Sequence, residues 1–149
     1  MKLPLFLTLL VTFALAVSFT QNSRASDFPK GSPAFLTSYE AALKAGKQEG
    51  KPVIAIFSAS WCPPCQTNKR NVYPSAEVKP FHDKFIWAYL DADEESNVPA
   101  MKKFEVSGIP HIQFLNAKGT SIGSLVGGTS AKDFGETLAD VLKKAKVSE

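Results

Sequence analysis

A chain of 149 residues, 44% of them hydrophobic, has room for one domain of ordinary size around one core. Its 17 basic and 14 acidic residues give a formal charge of +3, but Lys2 and Arg24 fall in an N-terminal segment that reads as removed. The remaining 15 basic and 14 acidic residues leave the rest nearly neutral, with no electrostatic ground for a nucleic-acid or acidic partner.

Lys2, the mostly apolar stretch Leu3 to Phe19 and the small residues around Ser23-Arg24-Ala25 have the three parts of a signal peptide covering residues 1–25. Pro4, Thr8 and Thr12 weaken the alternative of an uncleaved membrane anchor. Residues 26–36 mix Ser, Pro, Gly and charge and read as a flexible lead-in to a domain over 37–149. Thr37-Ser38-Tyr39-Glu40 has capping-box spacing, and Tyr39, Ala42, Leu43 and Gly46 fall on one helical face. Gly50 and Pro52 end that helix. Val53 to Phe57 is short, continuous and β-branched, as a buried strand should be. Trp61-Cys62-Pro63-Pro64-Cys65 opens a helix to about Asn71; Pro74 breaks it, and Ser75 is placed to cap a short helix carrying Val78 and Phe81. Phe85 to Leu90 is the next strand, and Asn97 with Pro99 starts a helix carrying Met101 and Phe104. After Gly108-Ile109-Pro110 come strands His111 to Leu115 and Ser121 to Val126, joined by a turn at Asn116 to Gly119. Ser130 and Asp133 cap a last helix whose inner face is Phe134, Leu138, Val141, Leu142 and Ala145. No internal repeat or low-complexity tract interrupts this order, which predicts an α/β fold: a central mixed sheet flanked by helices.

The only two cysteines stand two residues apart, where a strand feeds a helix start. Unpaired N–H groups and the helix dipole favour a thiolate at Cys62, and Cys65 lies one turn on, within reach of a disulfide. A structural staple joins distant segments; closing so small a loop removes little unfolded-state entropy. Redox exchange is the better use. Pro63 and Pro64 lack the N–H donors nearest Cys62, which tilts the couple towards reduction, although prolines also simply start and stiffen helices here.

This order of elements, with Trp-Cys-x-x-Cys after the first core strand and Ile-Pro before the third, resembles the thioredoxin fold from Thr37 to about Lys146. The helix ending in Gly50-Lys51-Pro52, followed by Phe57-Ser58-Ala59-Ser60-Trp61-Cys62, is similar to the catalytic domains of periplasmic disulfide reductases. The resemblance implies that Cys62 is the exposed attacking thiol and Cys65 the buried resolving thiol. It implies that Pro110 is a cis-proline beside the disulfide, that Ile109 offers backbone hydrogen bonds to a substrate strand, and that Trp61 forms part of the surface around Cys62. Gly127 matches the glycine of a facing loop, where a side chain would obstruct docking. Two positions depart from the family: its buried acid should fall at Ile56 and the lysine that partners it near Tyr89. That leaves the proton acceptor for Cys65 open, with Glu94 or Glu95 able to reach it only from a loop folded over the site.

The reading is an exported, monomeric thiol-disulfide oxidoreductase, without organic cofactor or metal. It would reduce disulfides of other exported proteins with electrons from a membrane donor. The C-terminal Lys146-Val147-Ser148-Glu149 is no endoplasmic-reticulum retention signal, so a bacterial periplasm is the expected compartment. Three rivals stand beside it. One is an oxidase or isomerase with the same chemistry; another is a copper- or zinc-handling protein using Cys62, Cys65 and His111; the third is a chaperone module, against which the intact Cys-x-x-Cys argues. Structural zinc wants four ligands, and only His82 and His111 remain beyond the two cysteines, a lone histidine at a strand start being more often a packed or surface residue. Asp91-Ala92-Asp93 reads as strand-end solvation and helix capping rather than a carboxylate pair.

Overall fold

The computed structural model describes residues 27–148, so the signal-peptide expectation for residues 1–25 lies outside the described residues. The strands are β1 (Phe35–Leu36), β2 (Val53–Ser58), β3 (Ile86–Asp91), β4 (His111–Leu115) and β5 (Ser121–Val126). The helices are α1 (Tyr39–Glu49), α2 (Pro63–Thr67), α3 (Val98–Lys103) and α4 (Ala131–Val147). A π-helical turn, Asn68–Val72, carries α2 onward, and short 3-10 segments occupy Lys79–Lys84 and Glu95–Asn97. One mixed sheet runs in the order β1-β3-β2-β4-β5, parallel for the first three strands and antiparallel through β4 and β5.

β2 is central and covered on both faces, which is why all six of its residues are buried and its sequence shows no polar alternation. Ile54 and Ile56 face a core shared with Trp87, Tyr73, Phe114 and Phe134; Val53, Ala55 and Phe57 face a second core with Tyr39, Ala42, Leu90 and Leu115. α4 supplies Phe134, Leu138, Val141 and Ala145 from one face, as its spacing predicts. Ser130 caps it, its hydroxyl accepting the Asp133 N–H at 3.1 Å.

Several local expectations shift. Residues 35–36, read within the flexible lead-in, form β1 and pair with β3 through Phe35↔Trp87 and Leu36↔Ala88. A two-residue strand carries no periodicity, and its partner lies far along the chain. The cap of α1 is Ser38 rather than Thr37: its hydroxyl accepts the Ala41 N–H at 3.2 Å. Gly50 ends α1 with φ of 63°, a left-handed conformation open to glycine at little cost. Ser75 caps no α-helix, because Pro80 falls in the first turn of the segment that follows and Val78 stands at its start instead. Asn97 precedes α3, but its amide donates to the Asp91 carbonyl at 2.8 Å instead of capping the helix.

Candidate redox-active site

Beyond the end of β2 the chain turns through Ala59, Ser60 and Trp61, and the Cys62 N–H closes the turn on the Ala59 carbonyl at 3.3 Å. Cys62 then stands at the N-cap of α2, with Pro63 and Pro64 in its first two positions. Those prolines leave the Cys65 and Gln66 N–H groups as the first helical donors, and Gln66 donates to the Cys62 carbonyl at 3.1 Å. Cys62 and Cys65 are joined by a disulfide, so the described state is the oxidised one.

The peptide bond between Ile109 and Pro110 is cis. Its loop lies against the disulfide, the Ile109 carbonyl oxygen 3.7 Å from Cys62 Sγ. The Gly127 N–H donates to the Pro110 carbonyl at 2.8 Å, tying the end of β5 to the same loop. A Cβ built on Gly128 would sit 3.5 Å from Pro64 Cβ, so this second loop borders the cysteine turn. Trp61, 65% exposed, completes the rim. The fold therefore brings together Trp61, Cys62, Pro63, Pro64, Cys65, Ile109, Pro110 and Gly127, positions up to 66 residues apart in the chain.

One expectation about these residues changes. Cys62, read as the exposed thiol, is 3% exposed against 1% for Cys65, because Ala59 and Ile109 pack against it. Gly127 also serves the backbone: its φ is 95°, a conformation open to glycine at little cost, and a Cβ there would project into open space.

Beneath the cysteine helix the register places Ile56 opposite Tyr89, so the acid and lysine positions of the resemblance hold an aliphatic and a phenol. The polar groups there come from elsewhere. Tyr89 and the buried Ser58 share a hydrogen bond between their hydroxyls at 2.6 Å, and Gln66 donates to the Ala59 carbonyl at 2.9 Å. Burial pushes the Tyr89 phenol above its ordinary range; the Ser58 hydrogen bond opposes this, and the charges of Asp27 and Asp91 add to it. Lys69, on the continuation of α2, is buried and paired with Asp27 at 2.7 Å.

Asp91 and Asp93 divide their roles. Asp91 Oδ1 accepts the Asp93 N–H at 3.0 Å, as a strand-end turn predicts. Asp93 Oδ2 accepts the Trp61 indole N–H at 2.7 Å, which fixes the exposed ring beside Cys62. Sequence reasoning missed that role, and the only signal was an acid at a strand end. Glu94 and Glu95 are exposed, and Glu94 lines an open groove of about 700 Å³ with Phe28, Phe35 and Tyr89. His111 turns edge-on to Phe57 at 5.9 Å, and its Nε2 is hydrogen-bonded to Gln113 Oε1 at 3.2 Å. No cluster of three or more His, Cys, Asp or Glu side chains is placed to hold a metal among the described residues. No helix among them is long and apolar enough to cross a membrane.

Comparison with known proteins agrees with this geometry. A thioredoxin-like family model matches residues 34–117, more than half of the chain. The chain is 34% identical over 89 residues to the chloroplastic thioredoxin-like protein HCF164 of Arabidopsis thaliana, a match covering 60% of this chain and 32% of that protein. It is 31% identical over 91 residues to the thiol:disulfide interchange protein DsbD of Vibrio cholerae, covering 58% of this chain and 15% of that protein. The matched segment thus spans a third or less of these two relatives. Among solved structures, a thioredoxin from Thermus thermophilus superposes with a TM-score of 0.66 at 25% identity, over 73% of this chain and 87% of that one. The DsbH oxidoreductase shares the fold with a TM-score of 0.58 at 22% identity, over 85% and 92% of the two chains. A family match over most of the sheet, with a disulfide at the strand-to-helix turn against the Ile109–Pro110 loop, makes this chain a member of the thioredoxin-like family.

Proposed function

We propose that this protein reduces disulfides in other exported proteins and is recharged by a dithiol donor held in a membrane. The carrying observation is the placement of the Cys62–Cys65 disulfide at the start of α2, against the Ile109–Pro110 loop and beneath an exposed tryptophan. In the reduced protein the Cys62 thiolate attacks one sulfur of the substrate disulfide, and the other leaves as a thiol after taking up a proton. Cys65 then attacks the Cys62 sulfur, the second substrate thiol leaves, and two electrons have passed to the substrate. The described disulfide is the product of that cycle, and a donor dithiol returns it to the start by the same exchange run backwards.

Support for reduction over oxidation comes from the prolines. With Pro63 and Pro64 at the first two helical positions, two of the donors that would stabilise a Cys62 thiolate are absent. A less stabilised thiolate means a less stable reduced form and a more reducing couple. Ile109, whose carbonyl borders Cys62, and Trp61 form the platform for a visiting extended segment.

Trapping tests the roles. Cys65→Ser should accumulate mixed disulfides with partner proteins, and Cys62→Ser should accumulate none; equal trapping by the two would overturn the assignment. Equilibration with glutathione tests direction, since a couple more oxidising than glutathione would favour the oxidase reading.

A further inference from the structure

Lys69 is the buried charge that neither the exchange steps nor core packing calls for. Its side chain is 10% exposed and lies four residues beyond Cys65, about one helical turn along the same stretch of chain. Burying an ammonium is costly unless it is paired, so its partners are informative. Asp27 Oδ2 accepts from Nζ at 2.7 Å, the Phe28 ring covers Nζ at 4.5 Å, and the Tyr89 ring lies 5.7 Å away. Tyr89 in turn holds Ser58, the last residue of β2 and four residues before Cys62. The pair is lopsided. The Asp27 side chain is 71% exposed and screened by water, whereas the ammonium lies inside the protein, where its field is screened less.

We infer that Lys69 is a positioning residue for the redox couple: its buried ammonium, held from outside by Asp27 and Phe28, favours the thiolate of the reduced pair and sets how strongly the protein reduces. The inference rests on the exchange function proposed above. The disulfide carries no charge; adding two electrons gives a Cys62 thiolate and, after uptake of one proton, a Cys65 thiol. A positive charge nearby stabilises only the reduced side and makes the potential less negative. Asp27 opposes Lys69, so the segment before β1 is part of the electrostatics of the site.

The test is the equilibrium constant with glutathione at about pH 8, near the ordinary thiol pKa, for four proteins. Lys69→Met should shift the constant threefold or more towards the disulfide, a tenfold shift being about 30 mV. Lys69→Arg should stay near wild type. Asp27→Asn should shift the constant the opposite way, and by less, because its carboxylate is largely exposed. Opposite signs are the signature, since a merely structural loosening would move Lys69→Met and Asp27→Asn together. Asp27→Asn and Lys69→Arg keep the test alive should Lys69→Met fold poorly. A wild-type protein that did not exchange with glutathione would overturn the proposed function and this inference with it. Exchange by the wild type with variants that move together, or not at all, would overturn the role of Lys69 alone.

Discussion

Tyr89→Phe probes the polar layer beneath the cysteine helix by removing one oxygen. That oxygen is 2.6 Å from Ser58 Oγ, and Ser58 is 1% exposed, so the substitution leaves a buried hydroxyl without its partner. Losing the net hydrogen bond and stranding a buried polar group together cost about 2 kcal/mol. Ser58→Ala should cost less, about 1 kcal/mol, because the Tyr89 hydroxyl is only partly buried and keeps Gln66 beside it. With both hydroxyls gone nothing is stranded, so the double variant should be destabilised by about 1 kcal/mol less than the sum of the singles. Urea unfolding read at constant m-value measures all three. Additivity within about 0.3 kcal/mol would refute the claim that the two hydroxyls stabilise one another. The pH dependence supplies an independent arm. Burial raises the Tyr89 pKa above its ordinary value of 10.0, so the unfolded chain loses this proton first as pH rises. The contribution is fully present below pH 10 and is lost as pH climbs towards the folded value. The stability gap between wild type and Tyr89→Phe should therefore narrow above about pH 10, while Tyr73, also raised by burial, titrates in both proteins. A gap unchanged into the alkaline range would refute it.

Other substitutions test other parts of the reasoning. Pro63→His restores one N–H beside Cys62 and adds a partial positive charge; thiolate absorbance should show a lower Cys62 pKa and glutathione equilibration a less negative potential. A potential that moved with the pKa unchanged would shift the explanation from thiolate electrostatics to the disulfide form. Gly127→Ala forces a side chain onto a φ of 95° and should cost about 1–2 kcal/mol in urea unfolding, with no clash to relieve. Gly128→Ala, without that φ, should cost less, and equal costs would contradict the backbone argument. Phe134→Ala opens the core at a fully buried position against Tyr73, Trp87 and Phe114, and should cost about 3–5 kcal/mol. A loss below about 1 kcal/mol would mean that α4 is not anchored there.

What the sequence determined by itself was the order and most of the extent of the elements, though not every cap: Thr37, Ser75 and Asn97 read as caps and do not act as such. β4 and β5 lie where the Ile109-Pro110 pair and the turn at Asn116 to Gly119 place them, α4 presents the apolar face its spacing sets, and Gly50 ends α1. The strand-to-helix turn holding Cys62 and Cys65 was equally legible, because its chemistry lies within five consecutive residues. Tertiary structure alone decided the rest. β1 exists because Phe35 and Leu36 meet β3, not because two residues favour a strand. Trp61 is held by Asp93 across 32 positions, Ser58 by Tyr89 across 31, and Lys69 by Asp27 across 42. Cys62 is buried because the Ile109–Pro110 loop closes on it from 47 residues away. Periodicity and capping act over a few residues and leave a mark in the local order of side chains. A hydrogen bond or ion pair between distant residues leaves none, since any acid, amide or hydroxyl in either segment reads as ordinary surface until the sheet and α2 bring the two together.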